Sequence, residues 1–84
     1  MNAWIPEKDL FGLYLADQGV KKMVSASGHV LLVAWNFVSG EKIAQIEFES
    51  AMDYSEWMDA VVSDYDAAYN PARALHCVLC ALGV

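Results

Sequence analysis

The sequence predicts an α+β domain: one helix, a three-stranded antiparallel meander sheet, then two helices packed on one face of that sheet. Three stretches carry this expectation. Residues 53–69, DYSEWMDAVVSDYDAAY, repeat their apolar side chains at helical spacing. Residues 29–38, HVLLVAWNFV, are apolar on both faces, as in a strand covered on two sides. Residues 42–49 alternate apolar and polar, as in a half-buried antiparallel strand. A chain of 84 residues makes one domain, 1–84, with a small interior.

In chain order, residues 1–5 are an extended lead. Pro6 suits the first position of a helix running to about Gln18, with Glu7 and Asp9 favourable to its dipole and Gly19 as its stop. A strand competes over residues 10–15, because Leu10, Phe11, Leu13, Tyr14 and Leu15 cover a wide arc and Gly12 weakens a helix. Residues 20–25 form a short edge strand carrying Lys21 and Lys22, and Ala26-Ser27-Gly28 turn the chain into the central strand. After Ser39-Gly40, Ala44, Ile46 and Phe48 share one face of the last strand and Gln45, Glu47 and Glu49 the other.

The helix over 53–69 is the organising element. Tyr54, Trp57, Met58, Val61, Val62, Tyr65, Ala68 and Tyr69 fall on one side, with Glu56, Asp59, Ser63 and Asp66 opposite. Asp53 is placed as its N-cap with Glu56 reaching back, and Asn70-Pro71 closes it. A second helix follows from Pro71 to about Leu82, so apolar, with Arg73 and His76 its only strongly polar side chains, that it must be largely covered. The order helix, three strands, helix resembles the outline of double-stranded-RNA-binding domains. Those domains hold phosphates with positive side chains, whereas residues 43–72 contain no Lys or Arg.

Composition narrows the function. Five Lys and Arg face 11 Asp and Glu, a net charge of −6, so phosphate backbones and anionic membranes are repelled on average and a basic partner is favoured. A hydrophobic share of 57% exceeds what so short a chain hides easily, which places part of it in a dimer or partner interface. The N-terminus lacks the profile of an export signal, and the longest apolar run, residues 74–84, is too short for a bilayer, so the expected location is cytoplasmic.

Seven carboxylates, Glu47, Glu49, Asp53, Glu56, Asp59, Asp64 and Asp66, fall within twenty residues without a compensating base. Like charges on one helix repel, and a basic partner relieves that repulsion on docking. The candidate partner-binding residues are therefore Glu47, Glu49, Glu56, Asp59, Asp64 and Asp66, with Trp4 as an aromatic anchor. The plain alternative is a solvated face.

The reading that follows is a small acidic inhibitor of phage or mobile-element type, an anti-CRISPR or anti-restriction protein acting as a DNA mimic. The alternative is a structural or adaptor subunit that homodimerises through its apolar C-terminal helix. Cys77-Val78-Leu79-Cys80 lies inside an apolar helix, where buried structural thiols are expected, and a zinc site would need every Cys and His in the chain. No nucleophile elbow, phosphate loop or metalloprotease motif occurs, so no enzyme, metal or cofactor is expected.

Overall fold

Four antiparallel strands precede two helices in the computed structural model, which describes residues 4–63 and 69–84. The strands are β1 (Trp4–Asp9), β2 (Gln18–Ser25), β3 (Val30–Asn36) and β4 (Lys42–Phe48), and each pairs only with its neighbours in the chain. The helices are α1 (Ala51–Val61) and α2 (Pro71–Ala81). The class is α+β with the helices on one face, but the sheet has four strands, and the expected first helix does not form.

That correction has a local cause. Residues 4–9 pair with β2 as an edge strand, Trp4 opposite Ser25 and Pro6 opposite Met23. Proline is tolerated there because one side of an edge strand has no ladder to complete. A 3-10 turn (Leu10–Gly12) follows, with Phe11 at φ 59° and Gly12 at φ 68°, so neither a helix nor a strand runs through residues 10–15. The chain then reverses over Ala16-Asp17, both at positive φ (48° and 65°), between Leu15 and Gln18, whose backbones exchange two 2.8 Å hydrogen bonds. Positive φ at both central residues matches the twist of a two-residue hairpin. Leu10, Leu13 and Leu15 still pack on the core, from a loop rather than a helix. Trp4 belongs to β1, not to a loose lead, and the strand expected at the edge, β2, lies inside the sheet. The outline shared with double-stranded-RNA-binding domains disappears with the first helix.

Elsewhere the pattern holds. β3 is central and buried along most of its length, and β4 turns Ala44, Ile46 and Phe48 toward the core. Val30, Leu32 and Ala34 of β3, with Val20 and Phe48 beside them, meet Leu75, Val78 and Leu79 of α2. Thus α2 is the helix that seals the core. By contrast α1 buries no residue completely. It leans on the sheet edge through Tyr54 and Trp57, whose rings stand 5.6 and 5.3 Å from that of Phe48.

The start of α1 also moves. Ser50 is the N-cap, its Oγ accepting from the Asp53 amide at 3.1 Å, so Asp53 is the third helical residue and not the cap. Serine and aspartate are comparable caps, and here the helix starts three residues earlier, at Ser50. Val62 leaves helical geometry at φ −107°, and the remainder of the expected 53–69 helix falls partly outside the described residues. Ser50→Ala is expected to cost about 1 kcal/mol by urea denaturation, with amide exchange rising first in α1. At α2 the Asn70 side chain accepts from the amides of Ala72 and Arg73, and Pro71 takes the first turn as expected.

Candidate functional site

The expected acidic surface divides in two. Glu49, Asp53, Glu56 and Asp59 are exposed at the β4–α1 corner and along α1. Asp53, Glu56 and Asp59 recur every third residue and sweep an arc of about 120°. None of these four meets a cation within ion-pair distance among the described residues. Glu47 does not join them. Its neighbours Ile46 and Phe48 point to the helices, so Glu47 projects from the opposite face of the sheet, where a carboxylate oxygen lies 3.8 Å from His29 Nδ1. Strand alternation enforces the separation. Asp64 and Asp66 lie outside the described residues. The acidic flank is not free of cations either, because the Lys22 ammonium sits 4.8 Å above the Tyr54 ring of α1. Trp4 is half-buried in β1, on the same sheet face as Glu47.

That uncovered sheet face holds a feature that reasoning from charge runs misses. Lys21 and Met23 of β2, Leu31, Val33 and Trp35 of β3, and Lys42 and Gln45 of β4 line an open hollow of about 400 Å³. Its floor is apolar, and Leu31 and Val33 are only 7% and 8% exposed although they lie outside the core cluster that the helices of the described residues cover. The Lys21 ammonium lies 3.8 Å from the Trp35 ring centroid. Lys42 Nζ donates to Gln45 Oε1 at 3.0 Å. Register places Lys21 opposite Val33 and Lys42 opposite Trp35, so the two lysines flank β3 from either side. The signal for this site was the odd-numbered set of β3 combined with lysines on both flanking strands.

An aromatic corner closes one end of the face. The Tyr14 ring stands 4.4 Å from that of Phe37 and 6.2 Å, edge-on, from that of Trp35. It lies directly over Gly19, where an added Cβ would come within 2.3 Å of the ring, so Gly19 is the gap that admits it. Beneath it the Trp35 Nε1–H is buried with no hydrogen-bond partner. The Tyr14 hydroxyl donates to an Asp9 carboxylate oxygen, and that bond raises the phenol above its ordinary value of 10.0.

The cysteines are free, Cys77 half-buried and Cys80 exposed, which corrects the expectation of two buried thiols. Cys80 Sγ lies 3.6 Å from His76 Nε2, one helical turn away on the outside of α2. Among the described residues no three potential ligands gather as a metal would require. The apolar face of α2 is spent on its own sheet, since Ala74, Leu75, Val78 and Leu79 are all buried. No helix of the described residues is long and apolar enough to cross a membrane. Comparison of the chain with protein-family models, with curated proteins and with solved structures finds no match.

Proposed function

We propose that the chain is a cytoplasmic protein-binding module, not an enzyme, whose acidic α1 side docks on the basic surface of a nucleic-acid-binding protein. In its sharpest form it is a phage or mobile-element inhibitor that occupies the nucleic-acid groove of a CRISPR or restriction effector. The observation that carries this reading is the unpaired, exposed set Asp53, Glu56 and Asp59 along α1, with Glu49 exposed at the β4–α1 corner. Carboxylates on one helix with no ion pair among the described residues repel one another, and a positive groove is a surface that relieves it. Glu47 and Trp4 belong to the other face and are no part of this contact.

The test compares wild type with Glu56→Lys/Asp59→Lys as baits. Both positions are exposed, so the fold is retained and circular dichroism is unchanged. Wild type is expected to capture a basic protein that nucleic acid displaces in competition, with association slowed by salt, and the double variant is expected to lose it. Equal capture by both baits removes α1 from the interface.

A further inference from the structure

We propose that the hollow on the uncovered sheet face is a binding site for a small organic carboxylate with a flat apolar body. The proposal rests on this face alone and is independent of the contact proposed for α1. Its first support is charge placement. The chain carries 11 acids against five Lys and Arg, yet Lys21 and Lys42 both line the hollow and no acid does. The lining itself is therefore positive in a molecule of net charge −6, with the nearest cross-strand acids outside it, Glu47 opposite Leu31 and Asp9 opposite Lys21. Lys21 meets no carboxylate within ion-pair distance among the described residues; its ammonium rests on the Trp35 ring instead. A cation held on an indole face keeps hydrogen-bond donors for an incoming acceptor.

The second support is shape and lining. A volume of about 400 Å³ sits at the small end of the range for ligand pockets, about 300–1,000 Å³. Met23, Leu31, Val33 and the flank of Trp35 offer an apolar bed. The two lysines pair with β3 residues two positions apart, Val33 and Trp35, from opposite sides of the strand, and their flexible stems can converge on one carboxylate. The ligand's body lies along β3 and its carboxylate sits between the two ammonium groups. Charge-assisted hydrogen bonds orient it, and the apolar floor supplies the contact area.

The test is an NMR titration with 2-naphthoate and with its neutral isostere 2-naphthamide, on wild type, Lys21→Met and Lys42→Met. Methionine keeps an unbranched apolar stem of similar size and removes the charge. Naphthoate is expected to shift the Leu31 and Val33 methyls and the Trp35 indole N–H. Naphthamide should bind about tenfold more weakly, the scale of one charge-assisted bond. Each variant should bring naphthoate toward the affinity of the amide while the unliganded spectrum keeps its dispersion. Equal affinity for acid and amide overturns the proposal, as do shifts confined to other parts of the molecule or no shift for either probe. Movement of the same signals on simple dilution overturns it too, because a second copy of the chain would then be what covers this face.

Discussion

Leu79→Glu is expected to unfold the chain. Leu79 is 5% exposed, packed with Leu75 and Val78 against β3, and a glutamate there loses the apolar burial and places a carboxylate among apolar side chains. Losing a buried leucine costs about 2–5 kcal/mol, and an unpaired buried charge adds several more. A domain of this size holds roughly 4–13 kcal/mol in total, at about 0.05–0.15 kcal/mol per residue. Circular dichroism should report collapse of both helix and sheet signals, and amide dispersion should be lost. This outcome separates two views of the apolar C-terminal helix. If the variant is instead folded and changes only from dimer to monomer, α2 is an interface between copies and the position assigned to Leu79 is wrong.

A matched pair on β3 should give the second large effect. Leu32, fully buried and facing α2, and Leu31, facing the hollow, are adjacent residues of similar burial, 0% and 7% exposed. Leu32→Ala is expected to lose about 3–5 kcal/mol, because the closed cavity it leaves cannot be refilled. Leu31→Ala should lose clearly less, because the space it opens joins the solvent-accessible hollow and Met23 and Lys21 can settle into it. Urea midpoints at constant slope measure both. Equal losses would mean that the uncovered face is packed as firmly as the core.

Much of this fold was legible. The two-sided apolar run of β3, the alternation of β4 and the Asn70-Pro71 start of α2 each rest on a period or a cap that belongs to the segment itself. The first helix misled because Pro6, Glu7, Asp9 and Gly19 are sound local helix cues, outweighed by pairing with β2 that no local rule registers. Ala16-Asp17 is not the Asn-Gly or Asp-Gly that announces a tight hairpin, so the β1–β2 connection left no trace in the pattern. Of the candidate site, the charge of Glu56 and Asp59 was readable, but their distance from Glu47 was not, because it depends on which face of β4 the helices choose. The lysine-rimmed hollow needs three strands in register before it exists, and Lys21 and Lys42 lie far apart in the chain.

The strand order β1-β2-β3-β4 carries a kinetic consequence. Every strand pairs with its chain neighbour, so the sheet can zip from hairpin to hairpin with short loop closures and without waiting for a distant partner. The side chains that cover it come last: Val20, Val30, Leu32 and Ala34 have no lid until Leu75, Val78 and Leu79 arrive with α2. During synthesis the ribosome therefore exposes a finished but greasy sheet for as long as it takes to make the two helices. That interval, when a holdase chaperone would find its target, is the stage at which this chain is most prone to aggregate.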